Sequence, residues 1–462
     1  MDGARESRER DGAAVSGGST VEARNDRQFI DDTEAVVRLG SMLLESGTGS
    51  YRVKRAMERA ATGLGMDRHD ASVSLTEIIA TAHRGDNFRT VVREVSRVRV
   101  DSARIAALED LSRHLPAPCT ATTLEAALDR VSRTVTAVWP GWVSILSAGL
   151  ACAGFAILNR FTLLDALVVL VAASAGQAAR RRLARRWLNQ FGTAALAAAV
   201  ASLVYLAVTA ALTATGWGVL EHVHGPGYVA SLLFLVPGFP MITAILDMAR
   251  LDFTAGLGRA AYAFGLVTAA TLSAWVVSWT AGLEPLATHT AVGWPWAGLI
   301  YGAATFVGVA GFAVLFNSTP RMVLTAATLA VVGNLIRLGL GDLGLPLQLS
   351  AALGGLTVGM LAAPVAPRLR LPRITLTVPA CVIMVPGAAM YRTMYWLNVG
   401  QVGKALGFGA DAVLTVIAIA CGLAVARMAT DRNWAFVRPI PSPHAFRFSD
   451  QPRRDDPAPP RR

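Results

Sequence analysis

The chain contains Phe234-Leu235-Val236-Pro237-Gly238 in one long apolar run and Ile383-Met384-Val385-Pro386-Gly387 in another. A proline followed by glycine in the middle of a span interrupts the helical hydrogen-bond ladder and frees backbone groups. Because lipid cannot satisfy those groups, both breaks must face protein or a water-lined cavity. Two breaks at matching places in two halves of a membrane chain are typical of the substrate site of a secondary transporter. The candidate substrate-binding residues at the breaks are Pro237, Gly238, Pro386 and Gly387.

An internal repeat extends beyond the breaks. The segment Ala153-Gly154-Phe155-Ala156 matches Ala310-Gly311-Phe312-Ala313 at an offset of 157 residues. The pair Gly176-Gln177 matches Gly333-Asn334 at the same offset of 157, and the two breaks are offset by 149. Three landmarks in the same order predict two halves of similar structure. Amide side chains at equivalent places suit a polar site in mid-membrane, which adds Gln177 and Asn334 to the candidate substrate-binding residues.

The composition predicts a polytopic membrane protein with a separate N-terminal part. The 462 residues are 53% hydrophobic and 16% charged, with mean hydropathy +0.44, whereas soluble domains carry about 25% charged residues. Much of the charge lies in residues 1–135. The basic residues behind the net charge of +11 cluster in that part, in short loops and in the C-terminal tail, where topology signals and lipid headgroups explain them better than nucleic acid does.

Several classes of site have no support in the sequence. The four cysteines are far apart, so we expect free thiols and no metal site. There is no Walker loop and no glycine-rich dinucleotide fingerprint, so we expect neither ATP use nor a cofactor. Residues 1–27 lack an apolar stretch, which predicts no cleavable signal peptide.

The N-terminal part reads as a disordered segment, residues 1–27, followed by a small soluble α/β domain, residues 28–136. The pattern predicts helices from Phe29 to Gly47 and from Tyr51 to Leu64. Strands are predicted at Val73-Ser74-Leu75 and over residues 91–100. A further helix starts at Ser102, and Thr122 with Glu125 forms a predicted capping box for the last one.

The membrane part contains about ten candidate spans, each near the roughly 20 residues that cross the hydrocarbon. Five spans in each half would invert the second repeat relative to the first, so we predict a five-plus-five inverted repeat of residues 137–283 and 284–430, with a disordered tail at 431–462. The predicted limits are 140–158, 162–179, 191–213, 228–248, 255–279, 294–316, 320–339, 345–364, 374–396 and 405–427.

The distribution of arginine predicts the orientation. The loops after the second and eighth spans are rich in arginine, whereas the loops after the third and fifth contain neither lysine nor arginine. The positive-inside rule therefore predicts that both termini are cytoplasmic.

The first broken span carries the best candidate for proton coupling. Thr243, a further candidate substrate-binding residue, and Asp247 lie one turn apart on one helical face. A carboxylate inside the membrane is costly, so Asp247 is a candidate proton carrier. The alternative is a structural pair with Arg250 or Arg259.

The second broken span carries Arg392, which could hold a substrate carboxylate through a bidentate contact. The alternative is that Arg392 snorkels to the outer surface beside an aromatic belt of Tyr395 and Trp396.

The residues resemble a known family. Several motifs, over about residues 30–427, are similar to those of the threonine/serine exporters. They are Leu44-Glu45-Ser46-Gly47 followed by Tyr51-Arg52-Val53, and the two Val-Pro-Gly breaks, the first with Asp247 after it. The chain differs from that family in a more charged segment at residues 81–89 and in Ala388-Ala389-Met390-Tyr391, where a glycine-rich turn is more common. The resemblance implies a cytoplasmic N-terminal domain, ten spans and proton-driven export of threonine and serine across the bacterial cytoplasmic membrane.

Two alternatives of other classes stay open. One is a membrane-anchored enzyme whose N-terminal domain carries the chemistry, supported by the histidines and aspartates between residues 67 and 86. The other is a transmembrane sensor. The oligomeric state is not indicated by the sequence.

Overall fold

The computed structural model describes residues 25–95, 98–186, 188–215, 227–282 and 296–435. The terminal segments predicted to be disordered lie outside these ranges, apart from residues 25–27 and 431–435. Residues 25–27 belong to the first helix, α1, which covers residues 25–45, so order begins earlier than predicted. Residues 432–435 form a short helix.

An N-terminal unit of helices and one sheet has its own hydrophobic cluster, which includes Leu43, Met57, Ile78, Leu108 and Leu124. Its elements are α1, α2 (Ser50–Gly63), β1 (Arg68–Val73), β2 (Glu77–Arg84), β3 (Asn87–Glu94), α3 (Ser102–Arg113) and α4 (Ala121–Thr134).

The sheet has three antiparallel strands in the order β1-β2-β3, where the sequence predicted two strands. Strand β2 buries Ile78, Ala80 and Ala82 and turns into β3 at Gly85, whose φ of +59° suits glycine. The charged segment 81–89 is therefore this hairpin. Residues 98–100, predicted as part of a strand, are irregular.

Two helix starts differ from the prediction. Asp101, not Ser102, caps α3, because its side chain accepts a hydrogen bond from the backbone of Arg104 at 3.1 Å. The capping box of α4 is formed by Thr120 and Thr123 rather than by Thr122 and Glu125. Glu125 instead forms an ion pair with Arg38 of α1.

The bundle contains eight described helices long and apolar enough to cross a membrane, and two bent helix pairs that bring the number to ten if each pair is one span. The pairs bend by 59° and 51°, each at a Pro-Gly break. The bounds agree with the ten predicted spans. They are α5 (Gly141–Leu158), α6 (Leu163–Ala184), α7 (Gln190–Ala214), α8 (Gly227–Ala230) with a turn at Leu233–Leu235 and α9 (Gly238–Met248), α10 (Phe253–Thr280), α11 (Trp296–Leu315), α12 (Pro320–Asp342), α13 (Leu347–Arg368), α14 (Ile374–Val382) with α15 (Gly387–Asn398), and α16 (Val402–Thr430), followed by α17 (Arg432–Ala435).

The first helices of the two halves, α5 and α11, pack at backbone contact distance through small residues. A Cβ atom on Gly154 would lie 2.6 Å from the carbonyl oxygen of Ala304 and 3.0 Å from Cα of Gly308. A Cβ atom on Gly311 would lie 2.5 Å from the carbonyl oxygen of Ser147. The two segments that repeat in the sequence therefore meet in the fold.

The N-terminal unit sits on one end of the bundle, which we call the domain end. Ser102 N donates to Phe316 O at 2.9 Å, and Gln190 Nε2 to Val98 O at 3.4 Å. Ile105 of α3 is buried in the hydrophobic cluster of the bundle. Because these contacts reach residues that follow the second and sixth spans, the even-numbered loops meet at one end, as alternating crossings require.

We expect Gly154→Ala to lower the melting temperature and the yield of the purified protein by a measurable amount, because the new Cβ must displace the backbone of α11. Gly339→Ala on α12 is the control, since a Cβ there would meet nothing within 4 Å. Thermal unfolding in detergent measures both. Equal melting temperatures for the two variants would contradict the close helix contact.

Candidate functional site

The two broken spans cross each other, as expected of a shared site. A Cβ atom on Gly238, at the first break, would lie 3.2 Å from Cγ1 of Val382, just before the second break. A Cβ atom on Gly387, at the second break, would collide with Leu233, just before the first. The crossing leaves a cavity of only about 20 Å³, lined mainly by apolar side chains.

Tyrosine hydroxyls provide the polar groups near this crossing. Tyr228 donates a hydrogen bond to the hydroxyl of Tyr391, and their rings meet edge to face with centroids 5.2 Å apart. The Ser278 hydroxyl lies 3.0 Å from the Tyr391 hydroxyl. The chain thus fixes the two broken spans to each other and to α10 by a buried polar contact.

Asp247 of α9 forms a buried ion pair with Arg259 of α10, whose Nε lies 3.0 Å from Asp247 Oδ2. The two residues are 3% and 1% exposed. These two atoms do not meet hydrogen-bond geometry with each other or with a third group of the described residues, so the contact is mainly electrostatic. Of the two structural partners considered for Asp247, the chain uses Arg259.

A loop of the N-terminal unit covers this ion pair. Arg259 donates from Nη1 to Gly47 O at 3.3 Å and from Nη2 to Thr48 O at 2.7 Å. Ser50 places both its backbone nitrogen and its hydroxyl oxygen 3.1 Å from Asp247 Oδ1. We call residues 47–50 the cap loop.

The cap loop requires its glycines. Gly47 has a φ of +86°, in the left-handed region that favours glycine. A Cβ atom on Gly49 would lie 2.8 Å from Asp247 Oδ1. Asp252 supports the same loop, since it pairs with Lys54 and its Oδ2 lies 2.8 Å from the Ser50 hydroxyl. The Ser-Gly and Tyr-Arg-Val motifs of the sequence therefore flank the segment that contacts Asp247.

The amide candidates, Gln177 and Asn334, are buried but do not line the cavity at the crossing. Gln177 of α6 donates to Ser144 of α5 at 3.3 Å, and Asn334 of α12 donates to Thr305 of α11 at 2.8 Å. Each amide thus joins the second helix of its half to the first. Thr243 is also buried, and its hydroxyl donates to Phe239 O at 3.0 Å.

Arg392 lies in the middle of α15, with its guanidinium 5.5 Å from the centre of the Phe408 ring on α16. Nearby, Lys404 stands over the ring of Trp396 at 4.2 Å. Since α15 runs away from the domain end, Arg392 is not brought together with Asp247. The cation–aromatic surroundings fit the snorkelling alternative.

A larger cavity, of about 60 Å³, opens at the domain end and takes in Thr243 and Asp247. We call it the arginine cavity, because four arginines line it: Arg52, Arg250, Arg373 and Arg427. The sequence contains little indication that these arginines line a cavity, because arginines beside span ends are explained by topology alone. The one available signal was Arg52, inside the Tyr-Arg-Val motif.

Three of the side chains that supported an enzyme, Asp67, Asp70 and His83, have structural contacts. Burial lowers the pKa of His69 on β1 to about 4, so this imidazole is neutral at pH 7. Asp67 accepts a hydrogen bond from Gly85 N at 2.7 Å, and Asp70 pairs with Arg68. The His83 ring stacks on Phe88. Within the described residues no group of three or more histidine, cysteine or acidic side chains could hold a metal ion.

Comparison with known proteins agrees with this architecture. Residues 34–280 match the family model "Putative threonine/serine exporter", and residues 301–429 match "Threonine/Serine exporter, ThrE". The chain belongs to the threonine/serine exporter family. With its apolar spans, it is a multi-pass membrane protein of a transporter family.

Relatives in this family carry two kinds of name. A "Probable threonine/serine exporter" of Mycobacterium tuberculosis is 25% identical over 399 residues, which cover 82% of this chain and 72% of the relative. A "Probable succinate transporter subunit YjjP" of Escherichia coli is 28% identical over 247 residues, 52% of this chain and 90% of the relative. No solved structure matches the chain.

We expect Gly49→Ala to push the cap loop off Asp247 and expose its neighbours. In a variant without the native cysteines, Thr48→Cys should react slowly with a membrane-impermeant maleimide, because Thr48 is fully buried. Adding Gly49→Ala should speed labelling at least tenfold. Gly192→Ala is the control, since its Cβ would make only ordinary contacts. Labelling that stays slow would mean that the loop does not depend on close approach to Asp247.

Proposed function

We propose that this protein is a secondary active transporter that exports small amino acids, threonine and serine, across the bacterial cytoplasmic membrane and is driven by the proton gradient. The observation that carries the proposal is the buried Asp247–Arg259 pair, which lies beyond a broken span and beneath the cap loop. A change in the charge of this carboxylate must disturb its contacts with Arg259 and the cap loop, which ties protonation to movement of the loop or the bundle.

Reciprocal contacts support an inverted repeat. At the offset of 157 residues, Gly154 corresponds to Gly311 and Ser147 corresponds to Ala304. Gly154 contacts Ala304, and Gly311 contacts Ser147, so each contact is the repeat-related copy of the other. The offset of 149 residues likewise turns the contact of Gly238 with Val382 into that of Gly387 with Leu233. Contacts that map onto each other are the mark of a two-fold relation, and inverted repeats suit alternating access.

The orientation follows from the positive-inside rule. Arg185, Arg186 and Arg370 belong to the even-numbered loops, and those loops meet the N-terminal unit. The domain end then faces the cytoplasm, with the N-terminal unit and both termini on that side. In this orientation the cap loop is the inner gate.

Coupling follows from the charge on Asp247. The ionised carboxylate holds Arg259 and Ser50, which keeps the cap loop closed over the bundle. Protonation of Asp247 would leave Arg259 without its partner, at a cost of about 3–5 kcal/mol for a buried pair, and would open the loop to the cytoplasm. Release of that proton into the cytoplasm, in exchange for substrate, would close the loop behind the substrate. One proton then enters as one substrate leaves.

Succinate is a second candidate substrate, because relatives that match about half of this chain are named as probable succinate transporter subunits. Threonine, serine and succinate share a carboxylate. The enzyme alternative finds less support, since Asp67, Asp70 and His83 serve structural contacts.

Proteoliposomes that contain the purified protein test the function. We expect faster counterflow of labelled threonine and serine, or of succinate, than of leucine. We also expect the accumulation of the transported substrate to depend on an imposed pH gradient. Turnover of a peptide or amide without flux would favour an enzyme, and recruitment of a partner without flux would favour a sensor.

Asp247→Asn keeps the shape of the side chain but cannot release a proton. We expect it to lower gradient-driven accumulation at least tenfold and to preserve part of the substrate exchange, because exchange moves no net proton. Both activities are measured in the same vesicles and normalised to protein amount. Asp411→Asn, a matching change at an exposed residue, should leave both unchanged.

If accumulation and exchange fall together in Asp247→Asn, in step with the amount of protein, Asp247 is only structural and the coupling mechanism is wrong.

A further inference from the structure

The arginine cavity joins three parts of the chain. Arg52 comes from α2 of the N-terminal unit, Arg250 follows α9 of the first half, and Arg373 and Arg427 belong to the second half. The volume of about 60 Å³ is room for several water molecules, or for a ligand of a few heavy atoms. A ligand here would contact the gate and both halves at once.

Three arginines at this end have carboxylate partners. Arg52 pairs with Glu109 at 2.5 Å, Arg427 pairs with Asp431 at 3.2 Å, and Arg259 pairs with Asp247. The carboxylates of Glu109 and Asp431 are themselves no more than 25% exposed. Glu109 also pairs with Arg113, and each of the three arginines has a carboxylate partner without a ligand.

The other two arginines have neutral partners. Arg250 donates to Trp434 O at 2.8 Å and lies 4.0 Å from the centre of the Tyr51 ring. Arg373 donates to Thr430 Oγ1 at 2.7 Å and to Gly359 O at 2.8 Å. Across the described parts of the chain, neither arginine forms an ion pair with a carboxylate. The cavity thus carries a surplus of two positive charges.

We propose that the arginine cavity binds a small dianion with two acidic groups, held between Arg250 and Arg373. Guanidinium groups prefer oxyanions, which they can hold through two parallel hydrogen bonds. A zwitterionic amino acid brings one carboxylate and an ammonium group, and the ammonium would be repelled. Tyr51, Thr243 and Trp434 also line the cavity, and these uncharged residues suit a short carbon chain between two acidic groups.

This inference deepens the second candidate of the proposed function, a dicarboxylate substrate, and rests on the proposed function for the idea that the cavity faces the cytoplasmic supply of substrate. A dicarboxylate metabolite and an inorganic dianion share the same recognition chemistry, so the experiment must separate them.

Binding to the purified full-length protein tests the inference without any transport assay. Titration calorimetry at pH 7.5 and constant ionic strength would compare succinate, sulfate and threonine. We expect a dianion to bind at least tenfold more tightly than threonine. Tighter binding of succinate than of sulfate would assign a dicarboxylate, and the reverse order would assign an inorganic dianion.

Variants show whether the binding belongs to this cavity. Arg373→Gln and Arg250→Gln should each weaken dianion binding at least tenfold. Arg250→Lys, which keeps the charge but not the bidentate geometry, should weaken it less. Arg321→Gln, a change at an exposed residue of α12, should bind as the unmodified protein does. Melting temperatures without ligand establish that each variant is folded.

Equal dianion affinities of the Arg373→Gln and Arg321→Gln variants, or tighter binding of threonine than of either dianion, would overturn the inference. Threonine flux without dianion binding would leave the proposed function standing and reject the cavity assignment. Dianion binding without any flux would support the cavity assignment and reject the proposed function.

Discussion

The contact between the cap loop and the bundle depends on one ion pair. Asp247 and Arg259 lie on consecutive helices of the first half. Both also form hydrogen bonds with the cap loop of the N-terminal unit. A buried pair contributes little net stability compared with apolar packing, but the loss of either partner is costly. The pair is therefore better suited to fix one arrangement of the cap loop and the bundle than to stabilise the fold. In the proposed coupling, its charge state decides whether that arrangement persists.

The surrounding architecture makes such a switch mechanically effective. The broken spans cross at Gly238 and Gly387, and small residues let α5 and α11 pack at backbone distance. Because these contacts are close-packed, a movement of one half would also displace the other. The arginine cavity lies beside α9 and is also lined by Arg52 of the N-terminal unit, so the cavity, the cap loop and the ion pair lie at one end of the molecule.

Much of the fold could be predicted, because apolar length and Pro-Gly breaks are local signals. The limits of the ten spans agree with the helices, and the two breaks meet as expected. The hairpin at Gly85 was missed because its charged residues hid an alternating strand pattern. The site was harder to predict. Asp247 stood out as a carboxylate in an apolar span, but Ser50 and Arg373 are distant in sequence and ordinary in type. Only folding brings them to the same end.

Hydrogen exchange of the segment that contains residues 47–54 tests the central claim most directly. The unmodified protein and Asp247→Asn would be compared at one pH, so that intrinsic exchange rates cancel. If the charge of Asp247 holds the cap loop, the Ser50 amide should lose protection by roughly 100-fold, the equivalent of about 3 kcal/mol, with the helices of the bundle unchanged. Equal protection of this segment in the two proteins would contradict the account.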